Sequence, residues 1–343
     1  MHTNSIPSNK KSILIVTPLI PPESGGPSYY SVALKEALEK KGEEVELIAF
    51  KEVRHYPSGI RHLLFLYKVL WLARKADALI ILDTVSVALP AVLAGWLLQK
   101  KMIVRVGGDF VWERYIERTG EKVLLSEFYL KDFPLTKKEK ILIWLQKSIV
   151  CTLATKIVFN TAWQRELWEK PYALKKDKTG VIANAFTKNE YRNKGDGGFL
   201  CVWRATAFKN TDTLETAFIM AKEKNPKIQL DIYKDIPREK LYAYMGKARA
   251  LIVPSLTELS PNMALEALGM GLPVLLTKDC GAHDLLDGAV IWIDPRDLQD
   301  IANKMDHLMD PAVYEKAKEQ AQNFSFTHSY DDIAQEFLNE LEH

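Results

Sequence analysis

Cysteine is scarce in this chain of 343 residues: Cys151, Cys201 and Cys280 are the only three. Their spacing matches no metal-ligand pattern, and an odd, sparse set fits a reducing compartment better than a disulfide scaffold. An excess of one charge is missing too. With 46 Lys and Arg against 44 Asp and Glu, the net charge is +2, which argues against a dedicated nucleic-acid binder with its strongly basic footprint. No apolar run is long enough to span a bilayer. The first residues, MHTNSIPSNKK, are polar and do not read as a signal peptide, so a cytoplasmic location is expected. No G-x-G-x-x-G follows the first apolar run, which removes the main support for a Rossmann dehydrogenase.

What is present is an ordinary soluble composition, 47% hydrophobic and 26% charged, in a chain long enough for two domains. Apolar runs of strand length alternate with helix-length amphipathic stretches. Strands are expected at 12–17, 45–50, 78–82, 102–106, 157–159 and 181–182, with helices at 27–42, 60–75, 87–99 and 137–154 between them. The segment 187–198, TKNEYRNKGDGG, is polar and glycine-rich and reads as a linker. A second alternating series follows, with strands at 199–203, 229–233, 250–253 and 289–293. Such alternation predicts α/β architecture: parallel sheets wrapped by helices, with ligands at the strands' carboxyl ends.

The densest chemistry lies in residues 255–274, SLTELSPNMALEALGMGLPV. Glu258 and Glu266 stand there with seven residues between them. Ser260 is suited to an N-cap and Pro261 to the first helical position, which would leave the amides of Asn262 and Met263 pointing outward, where the macrodipole favours an anion. Gly269 and Gly271 stop the helix, and Pro273-Val274 opens a strand. A carboxylate accepts two hydroxyl hydrogen bonds, so the unit suits a ligand with hydroxyls, then phosphate, then hydroxyls. A nucleotide-sugar has that order. The same residues also fit a capped helix with one loop glutamate and one solvated glutamate.

This stretch resembles the E-x7-E signature of the family 4 retaining glycosyltransferases, down to the S-P after the first Glu and the following E-A-L-G-x-G-x-P-V. The resemblance implies the GT-B fold: two Rossmann-like parallel-sheet domains facing each other across a cleft. It implies an acceptor-side domain at 1–188, a nucleotide-sugar domain at 189–325, and a last helix, about 326–340, returning to the first domain. It also implies retaining, metal-independent hexosyl transfer from a nucleotide-sugar, UDP- or GDP-linked, with no cofactor, to a glycan or lipid-linked acceptor, in polysaccharide or glycolipid synthesis. A GT-B epimerase or a non-catalytic partner subunit would share the architecture.

Other loops carry further candidates. Gly25 and Gly26 permit close backbone approach to a ligand, or a plain turn; they match the family's P-P-x-x-G-G loop, which faces the donor phosphate. Arg204 and Lys209 follow a strand. Two such cations are commonly solvated surface, but they match in position and order the family pair that grips the leaving diphosphate. Asp212 is expected to cap the next helix. The family's further strand-and-helix unit before residue 250 is missing here, and Tyr233 is a candidate to fill part of its base-holding role. Asp109, in VRVGGDFVWER, stands where family members often carry a His; it is the candidate base or orienter for the acceptor, with a helix cap or turn as the other reading. Finally, residues 61–75, RHLLFLYKVLWLARK, fit either an anionic membrane surface or a mostly buried helix on the sheet. The buried reading is preferred, because apolar stripes are usually core.

Overall fold

The computed structural model describes residues 10–21, 26–186, 188, 191–195 and 197–342. The chain divides into two compact units. Unit 1 is Met1–Asp109, Leu135–Ala183 and Ser329–His343; unit 2 is Phe110–Pro134 and Asn184–His328. The segment 110–134, expected within the first domain, thus clusters with unit 2.

Unit 1 is built on six parallel strands: β1 (Ser12–Thr17), β2 (Glu44–Ala49), β3 (Ala78–Ile81), β4 (Lys101–Val106), β5 (Lys156–Phe159) and β6 (Thr179–Val181), in the order β2-β1-β3-β4-β5-β6. Its central strands are continuous apolar runs. Ile13 to Val16 and Leu79 to Ile81 are at most 1% exposed, as a sheet covered on both faces requires. Its helices are α1 (Gly26–Lys40), α2 (Ser58–Ala73) and α3 (Ala88–Leu97), then, beyond two helices of unit 2, α6 (Lys137–Leu145), α7 (Cys151–Leu153) and α8 (Ala162–Glu169), and last α15 (Tyr330–Glu342). A π turn, Gln146–Val150, joins α6 to α7, so the single long helix expected at 137–154 is one path with a widened turn. Thr136 and Glu139 form a capping box that starts it. Helix α2 is not mostly buried. It covers the sheet with Phe65, Val69 and Ala73, all 0% exposed, and turns Ile60, Leu63, Leu64, Tyr67 and Trp71 to solvent.

Unit 2 contains α4 (Phe110–Thr119) and α5 (Leu125–Phe128), then β7 (Phe199–Trp203), α9 (Thr211–Lys224), β8 (Leu230–Lys234), α10 (Arg238–Met245), β9 (Ala250–Val253), α11 (Asn262–Gly269), β10 (Val274–Thr277), α12 (His283–Leu286), β11 (Ile291–Ile293), α13 (Leu298–His307) and α14 (Pro311–Asn323). Its five parallel strands lie in the order β11-β10-β9-β7-β8. The chain goes from β7 outward to β8, then returns to the other side of β7 as β9. That reversal puts the crossovers after β7 and β9 on opposite faces of the sheet, and doubly wound sheets bind ligands at such a point. Trp112, Tyr115 and Ile116 of α4 are buried, and the Trp112 indole donates to the Val123 carbonyl at 2.9 Å. The Trp112 ring also packs against Phe208, in the loop after β7.

Candidate functional site

The loop after β7 carries Arg204 and Lys209. The loop after β9 carries Ser255 and Glu258. Because β7 and β9 pair directly, Phe199 with Ala250 and Leu200 with Leu251, the two loops leave the sheet side by side. Backbone bonds then lock them together: the Leu256 amide donates to the Phe208 carbonyl at 2.8 Å. Asn210 fixes the turn between them. It takes the left-handed conformation at φ 57°, where Asn is among the residues best tolerated, and is 2% exposed. Its side-chain amide donates to the carbonyls of Pro254 (3.0 Å) and Pro295 (2.6 Å).

This frame brings Lys209 Nζ to 2.6 Å from Glu258 Oε1, an ion pair with both side chains largely covered. The Ser255 hydroxyl donates to the same oxygen at 2.6 Å. Among the described residues Oε2 accepts no hydrogen bond. Glu258 is held by its backbone as well: its amide donates to the Asp279 carbonyl and its carbonyl accepts from Gly281, a bridge to the end of β10. Cys280, beside it, is buried, which pushes its thiol up to about 12. Among the described residues it belongs to no group of three or more His, Cys, Asp or Glu that could hold a metal ion.

Lys209 and Glu258 line a pocket of about 300 Å³ with Arg204, Ser260, Asn262 and Met263. Arg204 is exposed, and among the described residues its guanidinium has no partner. Asp235, which sequence reading passed over, also lines this pocket. It sits at φ 51° just after β8, and its amide donates to the Trp203 carbonyl. An Asp placed directly before Ile236-Pro237 was the available signal, since Asp favours such left-handed positions.

The start of α11 differs from expectation by one residue. The helix begins at Asn262, with Pro261 as N-cap at φ −81° and no side-chain cap. The Asn262 amide is engaged by the Ser260 carbonyl at 2.9 Å. Of the two amides expected to be free, the Met263 amide alone has no acceptor among the described residues. Ser260 and Asn262 are instead tied to Asn184, whose amide donates to Ser260 Oγ and Asn262 Oδ1, each at 3.0 Å. Glu266 lies one turn beyond Asn262 on the same helix face. It is half-buried and does not line the pocket. The far end of α11 is a Schellman turn: Leu272 N–H donates to Ala267 C=O, Gly271 N–H to Leu268 C=O, and Gly271 has φ 74°.

The other described candidates have surroundings of their own. Asp109 is 0% exposed, and its Oδ2 accepts from the Trp168 indole at 2.9 Å. A carboxylate sealed against an indole cannot meet a solvent-borne acceptor in this conformation; it ties the end of β4 to α8 instead. Tyr233 stacks on Tyr244, with ring centroids 4.1 Å apart, and does not reach the pocket. Asp212 does not cap α9, whose N-cap is Asn210; its carboxylate pairs with Lys122 at 2.7 Å. Gly25 lies outside the described residues, and Gly26 opens α1. Among the described residues no group of three or more His, Cys, Asp or Glu is placed to hold a metal ion, and no helix is long and apolar enough to cross a membrane.

Residues 192–324, less than half of the chain, match the family model described as glycosyl transferases group 1. The fold is similar over the whole chain to sucrose-phosphate synthase from Thermosynechococcus elongatus, at 15% identity and a TM-score of 0.70, covering 96% of this chain and 98% of that one. It is similar also to Alr3699/HepE from Anabaena, solved with UDP and glucose, at 15% identity, a TM-score of 0.67, and coverage of 97% and 99%. A third is the lipopolysaccharide outer core galactosyltransferase WaaB in its apo form, at 13% identity, a TM-score of 0.62, and coverage of 96% and 99%. No curated protein matches the chain in sequence. At these identities the likeness is one of fold: two parallel-sheet Rossmann-like domains, as in GT-B glycosyltransferases.

Proposed function

We propose that this chain is a retaining glycosyltransferase that moves a hexosyl group from a UDP- or GDP-sugar to an acceptor hydroxyl without a metal or other cofactor. The observation that carries this is the pocket at the reversal point of the unit 2 sheet, where Arg204, Lys209, Glu258 and the start of α11 converge. The match of residues 192–324 to the group 1 model, and a structural neighbour solved with UDP and glucose, support the same reading.

In this mechanism negative charge grows on the departing diphosphate as the glycosidic bond breaks. Arg204 offers a fork of donors with no partner among the described residues, and Lys209 a point charge already oriented by Glu258. The Met263 amide adds a dipole at the helix start. Preorganised donors of this kind cost no reorganisation at the moment of reaction. Glu258 keeps Oε2 for a hydroxyl of the donor sugar, while Glu266, on the same α11 face as Asn262, is assigned the ribose hydroxyls. Glu258 is committed to Lys209 and Ser255, which disfavours it as a covalent nucleophile, so retention is assigned to front-face attack assisted by the leaving phosphate. The acceptor is a glycan or lipid-linked hydroxyl in cell-surface glycan or glycolipid synthesis, handled on the cytoplasmic side.

Incubation with UDP- and GDP-sugars, followed by proton NMR, tests this. The expected product of slow transfer to water is a sugar released in the donor's own anomeric configuration, along with the free nucleotide. Release with inverted configuration would overturn retention. A sugar epimerised while still nucleotide-linked would indicate an epimerase, and absence of donor binding a non-catalytic subunit.

A further inference from the structure

The two helical layers of unit 1 differ in charge. The step from β1 to β2 runs one way across the sheet, whereas β2 to β3, β3 to β4 and β4 to β5 run the other way. Right-handed crossovers therefore put α1 on one face and α2, α3 and the α6–α7 path on the opposite face. The packing agrees: α1 lies against α15, α2 against α3, and α3 against α7. The α1 and α15 layer exposes Glu36, Glu39, Asp331, Asp332 and Glu342. In the other layer, α2 and α3 contain no Asp or Glu at all, and the α6–α7 path contains only Glu139, which is 0% exposed inside its capping box.

The α2, α3 and α6 part of this layer is apolar and aromatic on its outer side. Leu63 is 68% exposed, Tyr67 70%, Trp71 55%, Trp96 55% and Trp144 57%. On α2 the exposed residues fall at helical spacing and form one stripe. Helices α2 and α3 run back along the same side of the sheet, so their carboxyl ends, with Trp71 and Trp96, lie at one end of the layer. Exposed cations lie along the same helices: Arg74 and Lys75 just after α2, Lys137, Lys138 and Lys140 in the first turn of α6, and Lys147 in the π turn. Lys75 lies over the Trp71 ring at 5.3 Å. Glu52, from the turn before α2, is already paired with Lys68 at 2.6 Å. The β5-to-β6 step runs the same way, so α8, with exposed Glu166 and partly covered Glu169, closes this layer at its β6 end.

Exposed tryptophan and tyrosine on helices whose exposed charged residues are cations match an anionic bilayer surface. The rings suit the headgroup boundary and the cations suit the lipid phosphates. We infer that the α2, α3 and α6 face of unit 1 docks on an anionic lipid surface, with no helix crossing it. This rests on the outer face of unit 1 and does not depend on the chemistry assigned to unit 2.

The test is flotation of the full chain with vesicles of phosphatidylcholine alone and of phosphatidylcholine with about 30% phosphatidylglycerol, at moderate salt. Binding to the anionic vesicles and not to the neutral ones is expected, with a blue shift of tryptophan emission. Tyr67→Glu with Trp71→Glu should lower the bound fraction on the order of tenfold, and Arg74→Gln with Lys75→Gln by a similar factor. All four side chains are exposed, so thermal melts of the variants should overlay the parent, which keeps loss of fold distinguishable. Failure to float, equal binding to neutral and anionic vesicles, or wild-type binding by either double variant would overturn the inference. So would sedimentation showing a dimer that Tyr67→Glu with Trp71→Glu dissociates while vesicles stay unbound, because the occupant would then be a second copy.

Discussion

Of the carboxylates at strand ends in this molecule, Glu258 in unit 2 and Asp109 in unit 1 differ in their surroundings. Glu258 follows β9 of unit 2 and faces a pocket, sharing one oxygen between Lys209 and Ser255 while its other oxygen accepts no hydrogen bond among the described residues. Asp109 follows β4 of unit 1, is fully buried, and spends its Oδ2 on the Trp168 indole. A carboxylate at the carboxyl end of a strand is thus not by itself a site. What separates the two is whether cations and an open surface accompany the group or a packed aromatic closes over it.

The sharpest way to break this contrast is to remove each group. Glu258→Ala and Lys209→Ala should each lower sugar transfer by about a hundredfold or more, the range seen when one preorganised charge-stabilising group is lost. Near-parental turnover in either variant, measured at saturating donor, would return the pair to an ordinary half-buried salt bridge. Asp109→Ala should do the reverse. It strands a buried indole N–H and should destabilise unit 1 by about 1–3 kcal/mol, read as a lower urea midpoint. Donor affinity should stay within a few-fold; a large loss of affinity at unchanged stability would put Asp109 back in the site.

A smaller effect tests how α11 is held. Gly271→Ala places a side chain at φ 74°, with its Cβ 2.9 Å from Gln322 Cγ, and should destabilise by roughly 1 kcal/mol or somewhat more. A thermal melt that does not move would contradict the Schellman end.

The least effect is electrostatic and concerns the segment 110–134. Glu127 makes a two-pronged bond to Arg296, at 2.9 and 3.3 Å. Arg296, with help from Lys131, holds the Glu127 carboxyl below its ordinary range. A lowered folded value means stability that is present above the unfolded carboxyl pKa and lost as pH falls through the folded one. The pair is partly solvent-exposed, so the amount is small, at most about 1 kcal/mol. Urea melts should show wild type slightly more stable than Glu127→Gln at neutral pH and the gap closing on acidification. A gap that widens in acid would reverse the sign.

Much of this architecture could be read in the chain. The apolar runs at 12–17, 78–82, 102–106 and 250–253 all became strands, because fully buried parallel strands need little beyond β-branched and leucine side chains. The short passage from β8 to β9 through the single helix α10 was legible too. The pairing of Lys209 with Glu258 was not legible. It depends on β9 returning beside β7 and on Asn210 bonding to Pro254 and Pro295, contacts 44 and 85 residues apart. Asp212 looked like a cap because caps are read locally, and only the fold shows Asn210 in that place with Lys122 claiming the aspartate. Helix α2 was legible as amphipathic. Its apolar residues, however, exceed what one buried face can hold, and which of them face outward is set by the sheet it lies on.

Calorimetric titration of the chain with UDP and with GDP probes the central claim most directly. The account predicts binding of one nucleotide per chain, weakened tenfold or more by Arg204→Ala and by Lys209→Ala and left within a few-fold by Asp109→Ala. No heat with either nucleotide, or the same affinity in all three variants, would contradict it.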